Sequence, residues 1–339
     1  MIGAIVTLGE LMVRLKPPGK LRLRQANELE LCHGGAEANV AVSLANFGLA
    51  SRFVSALPEN ELGEQALRAL KACGVNTDHV IRRTGRMGLY FMEEGADLRS
   101  GCVIYDRAGS AFTALTAAEI NWDAALDGAE WFHISGITPA ISPSTRDLAL
   151  ASVREAKARG AHISIDLNYR ERLWSYGQSA TDVMPELTKM ADTLIAGRGD
   201  CEACLGYAAP SNNGSDDWAR ELAAEAFRRF PNLSNFALTI RASQTAEVHS
   251  WRGFLTTRSS CAFSREYDMM NVVDRVGAGD AFSAGLIYGL VTGLSVGDAV
   301  NFGAAANCLK HSVVGDANLV TVSEVETLAS TSAFGQLRR

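Results

Sequence analysis

Short apolar runs alternate with amphipathic helical patterns along most of the chain. The runs predict buried strands, and the segments between them, with apolar residues three or four positions apart, predict helices. The predicted strands are residues 5–8, 53–56, 131–134, 162–166, 193–196 and 236–239, and the predicted helices are residues 36–47, 62–72, 143–159, 182–190 and 216–230. This alternation predicts an α/β fold whose mainly parallel sheet is covered on both faces and binds ligands at the carboxyl ends of its strands.

A second pattern, polar and with a period of two, interrupts this alternation. Residues 88–111 predict a hairpin with both faces partly wet, and the pieces 12–15 and 21–24 are compatible with strands of a small sheet. We predict a lid made of residues of about 12–24 and 88–111, inserted in a single domain that spans residues 1–339. Residues 246–251 and 253–257 predict a late hairpin, and residues 296–311 and 323–330 predict two closing helices. Residues 212–215 predict a mobile loop.

The late stretch at residues 270–293 has a pattern that suggests chemistry. Residues 270–273 predict a strand, residues 277–279 form a small-residue turn, and a helical pattern follows. The free N–H groups of a helix's first turn, approached past glycines, form an anion site. Asp280 in that turn would repel the anion unless it serves another group, such as a substrate hydroxyl that attacks phosphorus. An ordinary loop with a capping aspartate has the same spacing, so both interpretations stay open.

Two common nucleotide-binding loops do not occur in the sequence. The dinucleotide fingerprint G-x-G-x-x-G would need glycine where Phe282 stands, and G-x-x-x-x-G-K-[ST] is not found. A dinucleotide-dependent oxidoreductase is therefore disfavoured, and a bound ATP would be held without a P-loop.

Composition narrows the class of protein. With 339 residues, 47% hydrophobic and 21% charged, the chain can bury a full core and is ordinary for a soluble globular enzyme. The formal charge of −6 argues against nucleic acid or an anionic membrane as a partner. Seven scattered cysteines favour a reducing cytoplasm, and Cys201 with Cys204 fits one face of a helix better than a metal or redox site. The N-terminus lacks a signal peptide's features, and no apolar run is long enough to span a bilayer.

Two sets of residues are candidates for contact with a polar ligand. Gly34, Gly35 and Asn39 open the first predicted helix and would admit a polyhydroxylated ligand close to the backbone. A tight strand-to-helix turn has the same sequence and stays open as the alternative. Arg170 follows the predicted strand 162–166 and could reach an acid group or a transferring phosphoryl group, or form a surface ion pair with a neighbouring carboxylate.

The predicted hairpin carries a third candidate set. Tyr90, Tyr105 and Arg107 combine two phenols with a planar cationic fork, which suits a carboxylate ligand. Exposed cross-strand packing would also explain the two tyrosines.

Two segments resemble the signatures of one enzyme family. D-R-V-G-A-G-D-A-F from Asp274 is similar to the C-terminal signature of the ribokinase-like (PfkB) carbohydrate kinases, and H-G-G-A-E-A-N-V-A from His33 is similar to their N-terminal signature, about 240 residues earlier. The resemblance implies a three-layer α/β/α domain with a small β-sheet lid. It also implies phosphoryl transfer from ATP with Mg²⁺. A monovalent cation is a further cofactor that the resemblance suggests.

Longer segments resemble the 2-keto-3-deoxygluconate kinase branch of that family. They are G-R-M-G-L-Y-F-M-E-E-G-A, V-I-Y-D-R-A-G-S-A-F, W-F-H-I-S-G-I-T-P-A, D-L-N-Y-R-E-R-L-W and L-K-H-S-V-V-G-D-A-N-L-V-T. The resemblance implies a sugar-acid substrate, with Asp280 as catalytic base beside an anion hole of Gly277, Ala278 and Gly279. The implied substrate residues are Gly34, Gly35, Asn39, Tyr90, Tyr105, Arg107, Arg170 and Asp316. The implied nucleotide residues are Asn168, Thr239, Arg241, Gly277, Gly279 and Asn307.

One departure from the family pattern concerns the metal. Related kinases usually carry an Asn followed by acidic residues after the strand that ends here near Ala196, whereas this chain has Gly197-Arg198-Gly199-Asp200. Only Asp200 keeps an acid that would order the water shell of Mg²⁺. Arg198 could instead contact nucleotide phosphate directly.

Two other functions remain open on the sequence alone. They are a neutral-sugar kinase, such as a fructokinase, and a non-catalytic sugar or nucleotide sensor on the same scaffold. The polar hairpin, which cannot bury itself, predicts a homodimer or a higher homo-oligomer. The expected partners are a sugar acid and ATP, with no nucleic acid and no membrane, in the cytoplasm.

Overall fold

The computed structural model describes residues 2–207, 216–243 and 245–330, so the loop predicted at 212–215 lies outside the described residues. The strands are β1 (Ala4–Leu8), β2 (Met12–Lys16), β3 (Glu30–Gly34), β4 (Ser51–Pro58), β5 (Val80–Arg83), β6 (Gly88–Glu93), β7 (Cys102–Asp106), β8 (Ala129–Ser135), β9 (His162–Asp166), β10 (Thr193–Ile195), β11 (Asn235–Ser243), β12 (His249–Thr257), β13 (Cys261–Phe263) and β14 (Tyr267–Met269). The helices are α1 (Ala36–Asn46), α2 (Glu61–Ala72), α3 (Trp122–Ala125), α4 (Ile137–Ala140), α5 (Pro143–Ala158), α6 (Ala180–Thr188), α7 (Arg198–Leu205), α8 (Asp217–Arg229), α9 (Ala278–Val291), α10 (Val296–Lys310) and α11 (Val322–Ser330).

The central sheet is mainly parallel. Its strand order is β13-β12-β11-β10-β9-β8-β1-β4-β5, and β14 also pairs with β12. The pairings from β11 to β5 are parallel, whereas β12 pairs antiparallel with β11, β13 and β14. The carboxyl ends of the parallel strands therefore meet along one edge of the sheet, as the sequence predicts.

Helices cover both faces of this sheet. Successive side chains of β1 point to opposite faces: Ile5 packs in a core with residues of α1, α9 and α10, whereas Val6 packs in a core with residues of α5 to α8. Helices α9 and α10 approach closely because Gly285 faces Gly303, where an added Cβ would lie 2.7 Å from the facing Cα. The predicted three-layer α/β/α fold is confirmed. Among the described residues, no helix is both long and apolar enough to cross a bilayer.

A separate four-stranded sheet, which we call the lid, has the order β3-β2-β6-β7. Its two outer pairings are antiparallel, and its central pair, β2 with β6, is parallel. The predicted small sheet is thus present. The hairpin is not wet on both faces, however, because Gly88, Tyr90 and Met92 on alternate positions of β6 are buried.

Three local predictions are wrong, and each has a physical reason. Residues 21–24 form no strand but overlap a 3₁₀ turn, Leu23–Gln25, which follows Pro17-Pro18, and the fourth lid strand is the partly exposed β3 instead. Residues 246–257 do not form their own hairpin, because β12 runs continuously beside β11. Residues 270–273 form no strand, because the backbone N–H groups of Val272 and Val273 donate to the carbonyls of Glu247 and His311, in two separate loops.

Candidate active site

Residues 274–279, which we call the anion loop, lead into the first turn of α9. Gly277 has a φ of 81°, in the left-handed region that favours glycine. A Cβ on Gly277 would also lie 2.0 Å from the carbonyl oxygen of Asp316, so no side chain fits there. Gly279 is different, because no atom lies within 4 Å of its ideal Cβ position. The start of α9 therefore faces open space into which an anion could bind.

Asp280 lies in this first helical turn and is only 9% exposed. The side-chain amide of Asn39, on α1, donates a hydrogen bond of 2.7 Å to its Oδ2 atom. Burial raises the pKa of Asp280 to about 7, although the hydrogen bond from Asn39 opposes the rise. A carboxylate with a pKa near neutrality can accept a proton and release it again at ordinary pH, as a general base must.

Two more aspartates lie in this region: Asp166 ends β9, and Asp200 is in the first turn of α7, which follows β10. Burial and the negative charges of Asp200 and Asp280 raise the pKa of Asp166 to about 8, and the Ser283 hydroxyl donates to it over 3.2 Å. The Asp200 carboxylate accepts backbone hydrogen bonds from Gly197, at 2.9 Å, and from Tyr169, at 3.1 Å. The sequence analysis missed Asp166 as a site residue, although its place at the end of a strand was a usable signal.

Asp166 and Asp200 are candidate ligands of Mg²⁺. Mg²⁺ is commonly bound by one or two carboxylates together with substrate phosphates and water. Asp166 and Asp200 are such carboxylates, and burial and two neighbouring aspartates raise the pKa of Asp166, so a cation beside it would be favourable. Asp200 retains free lone pairs besides the two backbone bonds that it accepts. These residues fit a magnesium ion that arrives on a nucleotide.

Arg170 and Asn168 follow β9 at the same edge. Arg170 is exposed, its one hydrogen bond within the described chain goes to the carbonyl of Tyr169, and it pairs with neither Glu171 nor Asp166. Its positive charge lowers the pKa of both Asp166 and Asp280, which places it near the two carboxylates. Asn168 has a φ of 35°, a left-handed backbone uncommon for a residue with a side chain, and its N–H donates to Asp166 at 3.1 Å.

One row of the lid sheet faces the body of the protein. The cross-strand register aligns Cys32, Arg14, Tyr90 and Tyr105 on four adjacent strands. Tyr90 is buried and donates a short hydrogen bond to Asp316, and its ring centre lies 6.0 Å from that of Tyr105. The predicted substrate residues Tyr90, Tyr105 and Asp316 are therefore brought together.

Arg14, which the sequence analysis missed, connects this row to the anion loop. Its guanidinium forms a close, buried ion pair with Asp274 and lies 2.9 Å from an oxygen of Asp316. Asp274 in turn accepts backbone hydrogen bonds from Val276, at 3.1 Å, and from Gly315, at 3.0 Å. One carboxylate thus shapes both the anion loop and the loop that carries Asp316.

A fully buried lysine completes this network. The Lys310 ammonium donates to the carbonyls of Asp274, at 3.3 Å, and Val313, at 3.0 Å. Burial lowers its pKa, while the nearby Asp274 and Asp316 charges oppose the fall. Two cations and two anions therefore lie together beneath the site, with their charges balanced.

Arg107 has an internal partner that the sequence did not predict. Its Nε donates to Glu10 over 2.8 Å, Nη2 contacts the same oxygen, and the Ser110 hydroxyl binds the other carboxylate oxygen. The guanidinium also lies 5.7 Å from the ring centre of Tyr105. Glu10 thus occupies one edge of the fork, and Nη1 remains without a partner in the described chain.

Gly34 and Gly35 are required by close packing around the same site. A Cβ on Gly34 would lie 1.7 Å from the carboxylate of Asp316, and one on Gly35 would lie 2.0 Å from the carbonyl oxygen of Glu10. Any larger residue at position 34 would displace Asp316 from Tyr90 and Arg14.

The predicted nucleotide residues Thr239 and Arg241 lie at the edge of the sheet, whereas Asn307 is buried. Thr239 and Arg241 lie towards the end of β11, at the ligand edge of the sheet, and Arg241 is exposed. Partial desolvation of its guanidinium and the nearby positive charge of Arg275 lower the pKa of Arg241. Asn307 is fully buried, and its amide donates to the carbonyl of Ala278 over 2.7 Å. In this structure Asn307 holds the first turn of α9, and its contact with a nucleotide stays a prediction.

Comparison with known proteins identifies the family. The pattern of the pfkB family carbohydrate kinases matches residues 3–321, so the chain belongs to this family. It is a carbohydrate kinase with the ribokinase-like fold. The expectation of a non-catalytic sensor is thereby set aside.

Individual relatives narrow the comparison further. The chain is 34% identical over 327 residues to a 2-dehydro-3-deoxygalactonokinase of Haloferax volcanii, with 96% of each chain covered. It is 30% identical over 317 residues to a 2-dehydro-3-deoxygluconokinase of Bacillus subtilis, covering 92% of this chain and 90% of the relative. The crystal structure of a 2-dehydro-3-deoxygluconokinase from Thermotoga maritima matches with a TM-score of 0.91 and 40% identity, over 97% of this chain and all of the other.

Proposed function

We propose that this kinase transfers the γ-phosphoryl group of ATP to the terminal hydroxyl of 2-keto-3-deoxygluconate or a close relative. The observation that carries the proposal is the buried Asp280 carboxylate, held by Asn39 at the open start of α9. The sugar-acid class is supported by the named activities of the relatives and by Arg170, a cation near Asp280 that forms no ion pair within the described chain.

In this proposal Asp280 accepts the proton of the terminal hydroxyl as its oxygen attacks the γ-phosphorus. The bond from that phosphorus to the β-phosphate oxygen breaks, and ADP leaves. First-turn amide groups of α9, past Gly277 and Gly279, stabilise the negative charge of the transferring group. Asp166 and Asp200 would hold Mg²⁺ at the nucleotide, where it would neutralise charge on the phosphate oxygens. The protein otherwise contributes mostly position and electrostatics.

The sugar is proposed to lie between the lid and the body. Tyr90, Tyr105 and Asp316, with the backbone near Gly34 and Gly35, would contact its hydroxyls. The free Nη1 atom of Arg107 and the guanidinium of Arg170 would bind the carboxylate. Thr239 and Arg241 would line the nucleotide site with Asn168, while Asn307 acts through the start of α9.

A neutral-sugar kinase is the second candidate, and one contact favours it. Glu10 already neutralises Arg107, which leaves this arginine a weaker partner for an acid substrate. A panel of 2-keto-3-deoxygluconate, 2-keto-3-deoxygalactonate, gluconate, fructose and ribose, assayed for ADP release with ATP and Mg²⁺, separates the two. We expect the keto-deoxy acids to give the highest kcat/KM. A higher value for fructose or ribose would reject the sugar-acid assignment.

The same assay with and without K⁺ tests monovalent-cation activation.

The proposal includes a homodimer joined through the outer face of the lid. The register aligns four apolar side chains across the sheet, Leu31, Leu15, Phe91 and Ile104, of which Leu31 is 41% and Ile104 is 52% exposed. A partly exposed apolar row of this kind is typical of an association surface. Light scattering of the wild type and of Ile104→Lys tests it, with a dimer expected for the first and a monomer for the second.

We place the enzyme in the cytoplasm, where ATP and Mg²⁺ are available.

A further inference from the structure

A second buried carboxylate, Glu37, lies close behind the site and has no part in the reaction described above. It is in the first turn of α1 and only 1% exposed. Its Oε1 atom accepts three hydrogen bonds: from the N–H of Ser135 at 2.9 Å, from the hydroxyl of Ser135 at 2.8 Å, and from the hydroxyl of Thr138 at 3.0 Å. One carboxylate oxygen therefore ties α1 to the end of β8 and to α4.

The other oxygen of Glu37 lies against the end of β1. An added Cβ on Gly9 would come within 2.1 Å of Oε2, so glycine at position 9 makes the room that this carboxylate needs. Among the described residues, no lysine, arginine or histidine forms an ion pair with Glu37. Burial raises the pKa of Glu37, and the hydrogen bonds from Ser135 and Thr138 oppose that rise. A buried, unpaired carboxylate is costly in free energy, which suggests a role beyond packing.

Glu37 is connected to Asp280 through α1. Asn39, two residues further along the same helix, donates the hydrogen bond that holds Asp280. The negative charge of Glu37 raises the pKa of Asp280, and this effect opposes that of Asn39. The other charged groups near Asp280 are Asp316, Asp166, Arg170 and Lys310.

We propose that Glu37 is a positioning residue for Asp280, an inference that rests on the proposed function. Its anchored carboxylate fixes the first turn of α1, so that Asn39 meets Asp280, and it places a second negative charge behind the base. Asp280 thereby becomes a stronger proton acceptor than an isolated aspartate would be.

Glu37→Gln tests this directly, because glutamine keeps the size and the Oε1 acceptor but removes the charge. The pH dependence of kcat/KM is measured for both enzymes, with circular dichroism and thermal unfolding to verify folding. Loss of a negative charge lowers the pKa of Asp280, so the acid limb should move by about one pH unit to lower pH. Ser135→Ala removes one donor from Glu37 and leaves it less ionised, so it should shift the limb in the same direction by less. Glu64→Gln, on α2, is the matched control and should leave the profile unchanged.

A second measurement does not depend on the substrate. In protein labelled with ¹³C at aspartate carboxyls, the resonance lost in Asp280→Asn identifies Asp280, and its titration is compared between wild type and Glu37→Gln. A lower midpoint in the variant supports the proposal. An unchanged midpoint, or a fall in kcat with an unmoved acid limb, shows a purely structural role and overturns it. If instead the wild type phosphorylates no member of the sugar panel, the proposed function fails while the titration still decides the role of Glu37.

Discussion

Arg14 on the lid and Asp274 at the start of the anion loop form an ion pair in which both side chains are at most 2% exposed. The two residues are 260 positions apart in the chain, and Asp274 also bonds the backbone of both loops that border the site. The lid is thus fixed to the catalytic loop by charge as well as by packing.

Removing Arg14 should be strongly destabilising. Arg14→Met removes the guanidinium that pairs with the buried Asp274 and Asp316, and breaking such a pair typically costs about 3–5 kcal/mol. Urea unfolding of the variant measures the loss in the free energy of unfolding. Arg68→Met, on the exposed face of α2, is the control and should change it by less than about 0.5 kcal/mol. Adding Asp274→Asn to Arg14→Met should recover part of the loss, and no recovery would show that the pair is not coupled.

Asp280→Asn should abolish most turnover without unfolding the protein. Asparagine has the same shape but cannot accept the proton, so kcat should fall by about 100- to 10,000-fold. Calorimetric titration should show sugar affinity close to that of the wild type. A variant that keeps near wild-type kcat would remove Asp280 from the role of base.

The rate should depend on pH in a defined direction. Because the pKa of Asp280 is raised to about 7, the base is protonated and inactive at lower pH. The value of kcat/KM for the sugar should therefore fall about tenfold per pH unit below about 6.5 and level off above about 7.5. Constant kcat/KM between pH 5.5 and 7 would contradict a base with this pKa.

Gly279→Ala should separate folding from catalysis. The new Cβ meets no protein atom within 4 Å, so the melting temperature should stay within a few degrees of the wild type. The methyl group nonetheless projects into the space proposed for phosphate, and kcat/KM for ATP should fall by roughly tenfold or more. Gly297→Ala, also in a first helical turn with room for a Cβ, is the matched control and should leave both quantities unchanged.

The two site arginines should differ in their effect on acid substrates. Arg170 has no carboxylate partner in the described part of the chain, so Arg170→Ala should raise KM for a sugar acid by about 10- to 100-fold and change KM for a neutral sugar much less. Arg107 is held by Glu10. If Arg107→Ala weakens acid and neutral sugars equally, its role is to hold Glu10 rather than to bind a carboxylate.

The sequence predicted the layers of the fold well, because those layers follow from local periodicity. The strand at 162–166 and the helix from residue 36 are where the apolar pattern places them. The pattern failed where pairing is decided at long range. Residues 270–273 are mostly apolar like a strand, yet the amides of Val272 and Val273 bond to two distant loops.

The site was predictable to the extent that its residues lie in recognisable motifs. Asp280 and the glycines around it form part of one stretch, and their arrangement follows the prediction. The partner of Arg107 did not follow, because nothing local connects it with Glu10, 97 positions away. Arg14 was missed for the same reason: an arginine in a short strand gives no sign of its partners at 274 and 316.

The parallel pairing of β2 with β6 has a consequence for engineering the enzyme. The lid is assembled from two stretches of chain, with α1, β4, α2 and β5 between them. Exchanging substrate preference between relatives by grafting therefore requires both stretches to be replaced together, since either one alone would pair with a foreign neighbour along the middle of the sheet.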